Sequence, residues 1–167
     1  MKSKKNQIIA LTCATMTGLT AAASMEGVGL GAIIGEPTGI TLKKWVNETQ
    51  AFDAAAGWSF SDYDSFHFHA DYLFHNFEVF DLSGNPNAGR LPLYAGIGGR
   101  IKLRDHHDHP HHDHDHDRLG IRVPLGIAYL MHENPIEFFA ELVPVLDVAP
   151  DTDFDLNIAA GVRFYIK

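Results

Sequence analysis

The chain has 167 residues, 46% of them apolar and 20% charged, with a formal net charge of −8. That length suits one domain, and the acidic balance lacks the basic footprint of a nucleic-acid binder, so no nucleic-acid partner is expected. No run of eighteen or more apolar residues follows the first thirty positions, which excludes a helical membrane span from the body of the chain.

The first segment has its own character. Lys2, Lys4 and Lys5 form a basic start, Ile8 to Leu19 is apolar or small, and Ala21, Ala22, Ala23 and Ser24 follow. A charged start, a short apolar stretch and small residues for a peptidase make a secretory signal peptide, residues 1–24, cleaved near Ala23 or Ser24. Thr12, Thr15, Thr17 and Thr20 interrupt the apolar stretch and argue against a retained anchor. Cys13 is the sole cysteine. Thr12 before it, and Ala10 where a leucine is usual, argue against lipid attachment. The mature chain, one domain over 25–167, then has no thiol for a disulfide, a cysteine–zinc site or a nucleophile.

From Gly27 onward the dominant signal is a two-residue hydrophobic period, the mark of β-strands. It is weaker in the first three segments, 27–35, 39–47 and 51–60. In 51–60, Phe52, Ala54, Ala56, Trp58 and Phe60 oppose Asp53, Ala55, Gly57 and Ser59. In 65–75, Phe66, Phe68, Ala70, Tyr72 and Phe74 oppose His67, His69, Asp71 and His75. The alternation returns in 91–104, with Tyr94, Arg100, Lys102 and Arg104 on the polar side, and in 118–132, with Arg118 and Arg122 there. In 136–148 the apolar set is broken only by Pro144 and the other face carries Glu137, Glu141 and Asp147. The last strand runs from Asp153 to Lys167. Phe154, Leu156, Ile158, Ala160, Val162, Phe164 and Ile166 lie on one face, and Asp155, Asn157, Arg163 and Tyr165 on the other. A helix of 3.6 residues per turn cannot make that pattern.

The eight segments are separated by turn-forming groups, among them Glu36-Pro37-Thr38-Gly39, Asn47-Glu48-Thr49-Gln50 and Glu133-Asn134-Pro135. Such short connections force antiparallel neighbours, and an even number of antiparallel strands can close an up-and-down barrel without edges. The expected fold is therefore an all-β, eight-stranded antiparallel up-and-down transmembrane β-barrel.

The polar face decides which side points outward. It mixes charges in mid-strand (Asp53, Asp71, Arg100, Arg122, Glu137, Glu141 and Arg163) with small residues such as Ala55, Gly57, Gly96, Gly98, Gly126 and Gly161. Long charged side chains beside glycines suit a narrow interior where large and small residues share space. Both signs are present, so the seven charges are expected to pair as an interior network. The apolar strands are about ten residues long, enough to span a bilayer when tilted by about 45°. Trp45, Trp58, Phe60, Phe66, Phe74, Tyr129 and Phe164 fall near strand ends, as in an interfacial aromatic girdle. Eight strands leave no wide pore.

The opening Gly29-Leu30-Gly31-Ala32-Ile33-Ile34-Gly35-Glu36-Pro37-Thr38-Gly39, the segments His69–Phe77 and Leu91–Arg100, and Thr152–Asn157 together resemble a family of small bacterial outer-membrane β-barrel-like proteins. These are related in architecture to eight-stranded barrels of the OmpA/OmpX type. The resemblance runs from about Gly27 to the end and implies fold and an outer-membrane location but no reaction. The C-terminus is also similar to the signal read by the barrel-insertion machinery: Gly161, Phe164 and Ile166 match it, while Lys167 departs by standing where an aromatic is usual. Outer-membrane lipid and that machinery are the partners implied.

Residues 105–117, joining the fifth and sixth strands, break the pattern with DHHDHPHHDHDHD. His106, His107, His109, His111, His112, His114 and His116 alternate with Asp108, Asp113, Asp115 and Asp117 around Pro110. Neutral imidazole and carboxylate ligate Zn²⁺, Ni²⁺, Cu²⁺ and Co²⁺, so the segment is a candidate metal-binding loop; no cofactor is otherwise required. Opposed to this stands a solvated low-complexity loop. His67, His69 and Asp71, about 7 Å apart in sequence along one strand face, read as interior hydrogen-bonding groups in preference to a chelate.

No glycine-flanked serine and no Ser/His/Asp constellation is evident, so no enzymatic activity is expected. The leading functional expectation is a structural or surface-interaction membrane barrel with metal capture on a loop. The alternatives are a soluble periplasmic, lipocalin-like carrier of an apolar ligand and a membrane-embedded lipid-modifying enzyme.

Overall fold

The computed structural model describes residues 27–59, 65–80, 82, 84–85, 88–104 and 117–167. The signal-peptide segment, Phe60 and the histidine run up to His116 lie outside the described residues. Among the described residues nine strands follow one another: β1 (Val28–Gly35), β2 (Thr38–Trp45), β3 (Gln50–Ser59), β4 (Ser65–Asn76), β5 (Leu93–Arg104), β6 (Arg118–Arg122), β7 (Leu125–Leu130), β8 (Ile136–Ala149) and β9 (Asp153–Ile166). Seven of the eight expected segments are found as single strands, with ends shifted by no more than two residues. Every pairing is antiparallel between neighbours, and β9 pairs back onto β1, with Ile166 beside Val28 and Ala159 beside Gly35. The sheet is thus a closed ring.

The single strand expected over 118–132 is instead two, β6 and β7, separated at Val123-Pro124. Proline has no N–H to give the ladder. The neighbours compensate: Val123 N donates to Pro144 O at 3.0 Å, and Gly96 N donates to Pro124 O at 2.9 Å. Both pieces lie between β5 and β8, so the ring has eight positions although nine strands make it. Pro144 sits inside β8 without ending it.

The alternation is oriented with its apolar face outward. Exposed large apolar side chains come from every strand, among them Leu30, Ile40, Trp58, Phe74, Ile97, Ile121, Leu125, Phe138 and Ile158. Ile40 is 71% exposed and Ile158 66%. The interior instead buries Lys43, Arg100, Lys102, Arg122 and Arg163 against Asp53, Asp71, Glu137, Glu141 and Asp147, five cations and five carboxylates. Among the described residues no helix is long and apolar enough to cross a membrane.

Glycines make the charged lumen sterically feasible. A Cβ on Gly29 would lie 2.9 Å from the Tyr165 ring, and one on Gly161 would lie 2.5 Å from the Phe139 ring. The Tyr165 and Phe139 rings therefore each lie over a bare stretch of the adjacent strand.

Candidate functional site

The lumen is where the chain concentrates its chemistry. Inward residues recur at every second position along each strand, and the ring brings distant strands face to face. Near the end that carries both the start of β1 and the end of β9, Arg163 organises the first cluster. Its Nη2 donates to Asp53 Oδ2 at 2.6 Å and its Nη1 to Glu137 Oε1 at 2.8 Å. Its Nε donates to Thr41 Oγ1 at 3.1 Å. The guanidinium also lies 3.8 Å from the centre of the Phe139 ring. Lys43 Nζ donates to both oxygens of Glu137, at 3.0 and 3.1 Å. It also lies 2.9 Å from His75 Nε2, which makes that nitrogen the acceptor and leaves Nδ1–H for Thr49 O at 3.2 Å. Tyr165 donates to Glu137 Oε2 at 2.7 Å and accepts from Trp45 Nε1 at 3.0 Å.

A second cluster lies midway. Arg122 Nε is 3.1 Å from Asp71 Oδ1, and Arg122 Nη2 donates to Glu141 Oε1 at 3.1 Å. Tyr94 donates to the other Glu141 oxygen at 3.0 Å. A third cluster is at the far end, where Arg100 grips Asp147 with two hydrogen bonds, from Nε at 3.0 Å and from Nη2 at 2.7 Å, and reaches Asp155 at 2.9 Å. Lys102 Nζ is 3.5 Å from Glu36. Buried charges offset the cost of their desolvation only when paired and hydrogen-bonded in close geometry, as Arg163 and Arg100 are here.

All seven charges expected in the interior are buried, and each takes part in these clusters. Lys43, Lys102 and Asp147 complete the balance and were not among the seven. Lys43 is hard to place by pattern because Lys44 follows it: adjacent lysines on a strand face opposite sides, and here the first is buried and the second exposed. Trp45 is a correction to the expected girdle. It lies on the same face as Thr41 and Lys43, so it turns inward, with Lys43 Nζ 4.4 Å from the centre of its ring. Trp58, Phe66, Phe74, Tyr129 and Phe164 do face outward. So does Ile166, while Gly161 lies inside, under Phe139.

His67 and His69 are buried, with His67 Nδ1 3.6 Å from Glu36 and His69 Nε2 3.9 Å from Asp71. Of the candidate metal ligands only Asp117 is described; it is exposed and immediately precedes β6. His106, His107, Asp108, His109, His111, His112, Asp113, His114, Asp115 and His116 lie outside the described residues. Among the described residues no group of three or more His, Cys, Asp or Glu side chains is placed to hold a metal ion.

Comparison with known proteins adds the following. The N-terminal β-barrel domain of Pseudomonas aeruginosa OprF, a crystal structure, is similar over 82% of this chain and 96% of its own, at 16% identity and a TM-score of 0.46. No curated protein matches the chain. A family model described as a protein of unknown function, DUF3996, matches residues 21–164, and the chain belongs to that family.

Proposed function

We propose that this chain is a small outer-membrane β-barrel whose role is structural or surface-interacting, with a His/Asp-rich external loop that binds divalent transition metals. One observation carries the membrane part: the exposed surface is apolar on every strand while all the buried charges are inside. Soluble proteins rarely expose apolar patches beyond a few hundred Å². In lipid the same surface has a matching solvent, and a closed ring leaves no strand edge to satisfy. A soluble carrier of an apolar ligand needs the opposite arrangement, with an apolar lining.

The outward aromatics support the same reading. Trp58 and Phe66 meet edge to face at one end of β3 and β4, with ring centres 6.1 Å apart. Tyr72 stands against Phe52 and Phe74 toward the other end, at 4.9 and 5.1 Å. The eight steps from Phe66 to Phe74 cover roughly 27 Å of strand at about 3.4 Å each. With a tilt of about 40° that is roughly 20 Å of height, close to the apolar band of such barrels.

In this reading the leader directs export, Gly161, Phe164 and Ile166 serve the insertion machinery, and both ends of the ring-forming chain face the periplasm. The histidine run joins β5 to β6 at the opposite end, outside the cell. No catalytic step is assigned. Cell fractionation with heat-modifiable gel mobility tests the proposal. The protein is expected to stay with outer membranes through salt and carbonate washing and to migrate faster unboiled. Release into the soluble fraction overturns it.

A further inference from the structure

At the end of the ring that carries the start of β1 and the end of β9, the connections are unequal. β2 joins β3 through residues 46–49 and β7 joins β8 through 131–135, whereas β4 joins β5 through 77–92. Membrane barrels keep short turns on their periplasmic side, the side to which the proposed function assigns this end. The long connection is the exception there.

Its base is pinned from inside the ring. Phe77 stacks on His75 with ring centres 6.3 Å apart and lies 6.3 Å from Trp45. The Arg90 guanidinium sits 3.7 Å from the centre of the Phe77 ring. Arg90 and Leu130 exchange both backbone hydrogen bonds, each at 2.8 Å. Further along, Asn85 N donates to Leu82 O at 3.1 Å and Ala88 N to Asn85 O at 2.9 Å. The limb that returns to β5 backs onto the outside of the ring: a Cβ on Gly89 would lie 2.9 Å from the ring of Tyr129, one of the outward aromatics.

This held segment exposes Val79, Phe80 and Leu82, three large apolar side chains within four positions. Its place in the fold indicates what covers them. It leaves β4 just beyond the outward Phe74 and comes back against Tyr129, so its apolar side chains continue the outward band at the rim. Charge narrows the choice of lipid. Between Phe77 and Gly89 the sequence holds Glu78 and Asp81 and no Lys or Arg, so attraction to anionic headgroups is not what holds it there.

We infer that the β4–β5 connection is a second lipid contact, lying in the headgroup interface of the periplasmic leaflet with Val79, Phe80 and Leu82 inserted at the level of the first acyl carbons. It binds a zwitterionic surface through apolar burial, at a depth of about 5–10 Å. The inference rests on the proposed membrane barrel.

The test uses the full chain folded into phosphatidylcholine vesicles. Tryptophan emission is the readout, and the quenchers are acyl chains brominated near the headgroup or near the methyl end and aqueous iodide on both sides of the membrane. Phe80→Trp is made in a Trp58→Phe background, and subtracting the Trp58→Phe protein removes the signal of Trp45. The parent, with Trp58, reports on the outward band in parallel. Phe80→Trp is expected to lose more emission to the shallow bromine than to the deep one, to resist iodide, and to keep this pattern when salt or phosphatidylglycerol is added. Quenching of Phe80→Trp by iodide and not by bromine, while Trp58 still loses emission to bromine, overturns the inference and leaves the membrane barrel standing. Protection from both quenchers, as beneath a protein partner or a second copy, also overturns it. Failure of bromine to quench at either position removes the inference and the membrane barrel together. If Phe80→Trp lacks heat-modifiable mobility, Val79→Trp replaces it with the same expectation.

Discussion

Arg163 and Asp53 meet at 2.6 Å although 110 positions separate them in the chain. Arg163 also serves Glu137 and Thr41, so a single guanidinium joins β2, β3, β8 and β9 from the inside. Replacing it with methionine leaves two buried carboxylates with one cation, Lys43, between them. Breaking a buried ion pair by removing one partner costs about 3–5 kcal/mol. Urea unfolding in lipid vesicles should show a loss of that size for Arg163→Met. Adding Asp53→Asn should recover part of it, since the two sites share a network.

The outward face makes the opposite demand. Ile158 lies near the middle of β9 and Ile166 at its end, both exposed to the surroundings of the ring. In a bilayer an arginine costs about 2–4 kcal/mol near the midplane and about 0–1 kcal/mol near the interface. Ile158→Arg is expected to destabilise the protein in vesicles strongly and Ile166→Arg weakly. Equal, negligible effects at both positions would show that water surrounds the ring.

How much of this was legible in sequence depended on whether neighbouring positions differed in kind. β9 alternates apolar and polar or small residues nearly throughout, so its faces could be assigned directly, and the structure agrees at Phe154, Leu156, Ile158, Arg163 and Phe164. β2 places Lys43, Lys44 and Trp45 in succession, so neither face is distinctive, and the pattern marks neither Lys43 as buried nor Trp45 as inward. The gap at Pro124 was hidden because Arg122, Pro124 and Gly126 stay in phase across it. Partner choice was not legible at all. That Arg100 binds Asp147, 47 positions away, follows from strand tilt and register around the ring, which no local pattern encodes.

Small inward residues carry as much of the design as the charges. A Cβ on Gly126 would run into the Tyr94 ring and hydroxyl, whereas one on Gly84 would meet nothing within 4 Å. Tyr94 is buried and held by Glu141, so it has no free space to yield. Gly126→Val is expected to cost about 1–3 kcal/mol through overpacking, and Gly84→Ala to stay within about 0.5 kcal/mol of the parent. Paired denaturation curves in detergent measure both.

The histidine run can be separated from the ring without touching a strand. β5 ends at Arg104 and β6 begins at Arg118, and Lys102 pairs directly with Arg118. Replacing residues 105–117 with Ser-Gly should therefore preserve heat-modifiable mobility. If the run is the metal-binding element, calorimetry should find Ni²⁺ or Zn²⁺ binding to the parent and none to the deletion. The pH dependence follows from the ligand. Imidazole coordinates only when neutral, and its ordinary pKa is about 6.5. Binding should be fully developed above that value and weaken as pH falls, by about tenfold per coordinating histidine one unit lower. Binding that survives the deletion, or that is the same at pH 5.5 and 7.5, would remove the run from the proposed function while leaving the membrane reading intact.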